Sequence, residues 1–76
     1  MNWIQIETGV RNVQEASEGA AKYRLVVGYD ITHDNYRVHI YKVDATGKAE
    51  MLDIDLTQPT LHEGFEAGKQ VISDLF

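Results

Sequence analysis

Between Lys22 and Leu56 the chain repeats one pattern three times, with apolar residues at every second position and short polar segments between the runs. A period of two marks a strand with one buried face and does not fit the 3.6-residue period of a helix. Lys22 to Tyr29 aligns Tyr23, Leu25, Val27 and Tyr29. Tyr36 to Val43 aligns Tyr36, Val38 and Ile40, and Glu50 to Leu56 aligns Leu52, Ile54 and Leu56. The connections are a polar turn from Asp30 to Asn35 and the short loop Asp44-Ala45-Thr46-Gly47-Lys48, whose glycine can take a positive φ. Three strands joined so closely form an antiparallel meander.

A register follows from setting Val43 against Ala49. Lys42 then faces Glu50, Ile40 faces Leu52, Val38 faces Ile54 and Tyr36 faces Leu56; on the other face Tyr41 meets Met51, His39 meets Asp53 and Arg37 meets Asp55. Apolar residues meet apolar partners and acids meet bases or a histidine, whereas a one-residue slip would invert the faces.

The period changes near the end of the chain. Leu61, Phe65, Gly68, Ile72 and Leu75 recur at helical spacing, and Thr60 stands three residues before Glu63, just after Pro59. That is a capping-box start, so a helix is expected from about residue 60 to 75. At the other end, Trp3, Ile6, Val10, Val13 and Ser17 also make a helical stripe, with Asn2 as cap and Gly19 as stop, although Thr8 and Gly9 oppose it. The expected fold is therefore α+β: a three-stranded antiparallel meander with helices packed on one face, in the order α-β-β-β-α. The alternative begins with a short strand from Trp3 to Glu7 and a helix from about residue 10 to 18, giving β-α-β-β-β-α.

With 76 residues and no linker the chain reads as a single domain, residues 1–76. A domain of that size has little core to spare, and with no cysteine it can form neither disulfides nor thiolate zinc sites, which leaves self-association as the expected supplement. The N-terminus has no basic segment followed by an apolar run, and no stretch could span a bilayer as a helix, so a cytoplasmic location is expected.

The formal net charge of −5 lies entirely beyond Lys48, where Glu50, Asp53, Asp55, Glu63, Glu66 and Asp74 face Lys69 alone. An acidic chain with pI near 4.9 is a poor candidate for binding nucleic-acid phosphates or anionic membranes directly. The order helix, three strands, helix is also that of double-stranded RNA-binding domains, but the last helix here starts Thr60-Leu61-His62-Glu63-Gly64-Phe65, without their phosphate-gripping lysines. The likeness is one of topology, and no family membership follows from it.

No catalytic constellation is legible. His33, His39 and His62 share no metal-binding helical spacing and read as exposed or cross-strand residues, while Asp53 and Asp55 lack a nucleophile or a third ligand nearby. No cofactor or metal is expected. The informative feature is the sheet face that helices on the opposite side would leave open: Val26, Arg37, His39, Tyr41, Val43 and Met51. Tyr, Met and Arg are enriched in protein interfaces. The expected function is that of a small acidic, non-enzymatic protein-binding module acting on a protein partner or on itself as a homodimer. An inhibitor or regulator of a host complex, encoded by a phage or other mobile element, would suit its size. The competing expectation is a small enzyme or ligand-binding subunit whose pocket forms at a dimer interface from His39, Asp53 and Tyr41.

Overall fold

The computed structural model describes residues 1–75. Six strands, β1 (Ile4–Glu7), β2 (Arg11–Glu18), β3 (Ala21–Asp30), β4 (Asn35–Val43), β5 (Ala49–Met51) and β6 (Leu56–Gln58), precede the helix α1 (Leu61–Ser73). All pairings are antiparallel, in the order β1-β2-β3-β4-β5, with β6 alongside β5 on the same edge of β4. The fold is a six-stranded antiparallel sheet with one C-terminal helix, not a three-stranded meander with helices at both ends. The topological likeness to double-stranded RNA-binding domains disappears with the N-terminal helix.

The first twenty residues form a hairpin for physical reasons. Gly9 has φ 143°, a conformation no helix interior accommodates, and the Asn12 side chain fixes the reversal by donating to the Gly9 carbonyl at 3.1 Å and accepting from its N–H at 3.3 Å. The β2–β3 reversal uses only Gly19 and Ala20, because Glu18 pairs with Ala21; Gly19 at φ 61° supplies the positive dihedral at the first central position that type II′ hairpins require. Residues spaced as a helical stripe are thereby dispersed. Trp3 packs at the edge of the core, Val13 is buried on the opposite sheet face, and Val10 is 90% exposed in the turn.

Around the Asp44–Lys48 loop the expected register is present: Val43 pairs with Ala49, Lys42 with Glu50 and Tyr41 with Met51, and the Leu52 N–H donates to the Ile40 carbonyl at 2.8 Å. It then shifts by two residues. Tyr36 pairs with Gln58, Arg37 with Thr57 and Val38 with Leu56, so the expected pairs His39–Asp53 and Arg37–Asp55 do not form. The two extra residues are absorbed between Leu52 and Asp55, where the Ile54 N–H turns back onto the Leu52 carbonyl at 3.0 Å. An even insertion preserves the alternation of faces, so Leu52, Ile54 and Leu56 all still pack against the core.

Tyr23, Leu25, Val27, Val38 and Ile40 on one sheet face, with Phe65 and Ile72 from α1, make that core. Thr60 caps the helix, its Oγ1 accepting from the Glu63 N–H at 3.1 Å. Glycine decides how close the helix comes. A Cβ on Gly64 would stand 2.9 Å from Val27 Cγ1, and one on Gly68 would collide with Leu25 Cδ1 and lie 3.1 Å from Val38 Cγ1. The two glycines, four residues apart on one side of α1, let its backbone rest directly on the aliphatic side chains of β3 and β4.

Candidate interaction surface

Alternation from the core positions places the six candidate residues on the sheet face away from α1. Val26 pairs with His39, Tyr41 pairs with Met51, and Arg37, His39, Tyr41 and Val43 succeed one another at every second position of β4. The surface they make differs from the expected one in two respects. Val26 and Val43 are each only 6% exposed, so they form floor rather than contact, as does Val13 beside Val26 on β2. No helix covers them. Arg37 and Met51 are exposed, and His39 and Tyr41 are half-buried.

The second difference is charge. Arg11 lies beside Gly28, Arg24 beside Tyr41, and Arg37 on the far side of Gly28, so all three arginines of the chain stand on this face with Lys22 at its other end. Assigning residues 1–20 to a helix hides this arrangement, because it removes β2 and with it Arg11 and Glu15 from the sheet. The signal available in the sequence was the complementarity of β2 with β3 across the Gly19-Ala20 turn: Glu15 opposite Arg24 and Ser17 opposite Lys22.

Glu15 is the acid at the centre of the face. Its carboxylate accepts from Arg24 Nε at 2.6 Å and lies 3.3 Å from Lys22 Nζ, with its side chain 15% exposed. Burial alone pushes the carboxyl upward, but the hydrogen bonds from Arg24 and Lys22 outweigh it and hold the group below its ordinary value of 4.5. A depressed carboxyl stabilises the fold above its unfolded-state value, and that contribution is lost as pH falls through the folded value. Thermal melts of wild type and Glu15→Gln should therefore differ at pH 6 and converge toward pH 3; a constant difference would show that the charge is not what the cluster uses.

At the β3–β4 end the turn is tied by acids. Asp30 accepts from His33 Nδ1 at 2.8 Å and from the Thr32 N–H at 3.0 Å, and these bonds lower its carboxyl, the His33 bond most. Arg37 reaches the same carboxylate at 3.4 Å rather than Asp55. Tyr29 donates to Asp34 Oδ1 at 2.6 Å, which raises the phenol and keeps it protonated. In the next loop Asp44 accepts from Thr46 and from the Lys48 N–H, and is lowered in turn.

Among the described residues no cluster of three or more His, Asp or Glu is placed to hold a metal ion, and no helix is long and apolar enough to cross a membrane. Asp53, set in the irregular segment, does not pair with His39, so the trio His39, Asp53 and Tyr41 lacks the cross-strand arrangement on which a dimer-interface pocket was expected. No protein-family model, curated protein or solved structure matches the chain.

Proposed function

We propose that the protein is a non-enzymatic binding module that docks an acidic protein partner through the outer face of its sheet, around Tyr41. One observation carries the reading: Arg11, Arg24 and Arg37 share the face that α1 leaves open, together with Tyr41 and Met51. Arginine, tyrosine and methionine over a floor of buried valines combine the apolar anchors and forked donors on which protein interfaces rely. The acids Glu63, Glu66 and Asp74 are exposed on α1 or at its end, on the opposite side of the molecule. Such a charge separation orients an approaching acidic surface toward the sheet, even though the net charge of −5 opposes polyanions at long range.

A role as an inhibitor or regulator of a host complex fits the same reading, and so does a homodimer in which the acidic side of one copy meets the basic face of another. The test is recovery of partners from the native cell with a tagged chain and its Arg24→Ser, Tyr41→Ala, Met51→Ser variant, alongside sedimentation of both. Loss of the partner in the triple variant, but not in a Glu63→Gln, Glu66→Gln variant, is the expected result for an acidic partner, whereas the homodimer predicts that both variants lose self-association. Equal behaviour of the triple variant and wild type would overturn the assignment of this face.

A further inference from the structure

Gly28 is the eighth residue of a ten-residue strand and is paired on both sides, a position where glycine is an unfavourable choice. Its backbone does not demand it, for only Gly9, Gly19 and Gly47 have positive φ among the glycines. Nor does packing, since an added Cβ would meet nothing nearer than the Val10 carbonyl oxygen at 4.0 Å. What its missing side chain does is open a hollow. Gly28 pairs with Arg11 on one side and with Arg37 on the other, so two arginines flank the vacancy with their backbones roughly 10 Å apart, two strand spacings.

The hollow measures about 400 Å³, with Val26 and His39 toward the centre of the face and Ile31, 82% exposed, at the rim. Neither guanidinium is tightly held: Arg11 lies 3.6 Å from Glu7 and Arg37 3.4 Å from Asp30, and both arginine side chains are exposed. Asp30 also lines the hollow as an ionised carboxylate that opposes an anion, and the guanidinium of Arg37, 3.4 Å away, offsets that charge. We infer that the hollow over Gly28 is an oxyanion-binding site, taking a phosphate or carboxylate group carried on an apolar or aromatic stem, with Arg11 and Arg37 as its two donors. Forked guanidinium donors suit such groups, and the apolar floor and rim suit the stem. The inference goes beyond partner docking and does not require the ligand to be part of a protein.

The test is a titration of the full chain with phenyl phosphate and, separately, benzoate at constant ionic strength, with sodium chloride as reference, followed through the amide and arginine Nε–H resonances. Saturable shifts centred on Arg11, Gly28 and Arg37, half-complete on the order of 1 mM for at least one probe, are expected. The tighter probe identifies the preferred anion. Arg37→Gln should weaken binding about tenfold or more, and Arg24→Gln, on the same face but away from the hollow, should leave it unchanged. Gly28→Val fills the vacancy with a good strand residue and should abolish binding while melting no lower than wild type; if it misfolds, Arg11→Gln takes its place. Shifts that never saturate, or that respond equally to Arg24→Gln and Arg37→Gln, would overturn the site. A positive titration with no change in partner recovery, or the reverse, separates this site from the docking reading.

Discussion

Replacing Gly68 with valine should cost about 3 kcal/mol, the upper part of the usual range for overpacking a filled core. The added side chain enters at a point already occupied by Leu25 and Val38, which are 0% and 1% exposed and cannot swing into solvent. Alanine at the same position is a graded version of the insult. Its single methyl still collides with Leu25, but the gain in helix propensity, about 1 kcal/mol, offsets part of the strain. The net loss should be on the order of 1 kcal/mol. Since a domain of this size has a total stability of about 4–11 kcal/mol and shifts its midpoint by about 4–8 °C per kcal/mol, Gly68→Val should lower the melting temperature by about 12 °C or more. Valine at exposed Gln70 should cost only a few tenths of a kcal/mol. If the two valine variants melted together, the close approach of α1 to the sheet would not be what holds it.

Ile40→Ala is the second large effect. Ile40 is fully buried at the centre of β4, paired with Leu25 on one side and accepting from the Leu52 N–H on the other. Removing three carbons there leaves a cavity walled by strands on both sides, so little relaxation is available, and a loss of about 3–4 kcal/mol is expected. Denaturant melts should show an unchanged slope with a much lower midpoint, the signature of lost stability without loss of cooperativity. The comparison variant is Ile31→Ala, which removes the same atoms from a residue 82% exposed and should change the midpoint by less than about 0.5 kcal/mol. Parity between the two would place the core elsewhere.

What was legible in the sequence follows from which segments touch α1. β3 and β4 face it with Leu25, Val27, Val38 and Ile40, and there the alternation of apolar and polar residues is clean. The helix itself announces its cap and its apolar side. β2 presents Asn12, Gln14 and Ala16 to that same face at its margin and Val13 and Glu15 to the other, so neither side reads as hydrophobic and the period-two signal vanishes. Into that silence the spacing of Trp3, Ile6, Val10 and Val13 supplied a false helical period. The two-residue shift after Leu52 was invisible for a different reason: a period of two fixes which face a residue occupies but not which partner it meets, and even insertions leave the pattern untouched. Parity likewise places the β4 and β5 residues Arg37, His39, Tyr41, Val43 and Met51 on one face, and Arg24 with them on β3, while Arg11 on β2 is hidden by the missing hairpin.

Because β1 to β5 each pair with a neighbour in sequence, and β6 only skips β5 to reach β4, most of the sheet can assemble one hairpin at a time. Gly19 and Ala20 close β2 on β3. The turns at Asp30 and Asp44 close the next reversals, each held by local side-chain bonds already available to a short segment. Loop closures this short carry little entropic cost, and low contact order goes with fast folding. Docking of α1 is the step that must wait, since its two glycines find their seats only after Leu25, Val27 and Val38 have been brought side by side. In kinetic terms, Gly68→Val should accelerate unfolding far more than it slows folding, whereas substitutions in the β2–β3 turn should act mainly on the folding rate.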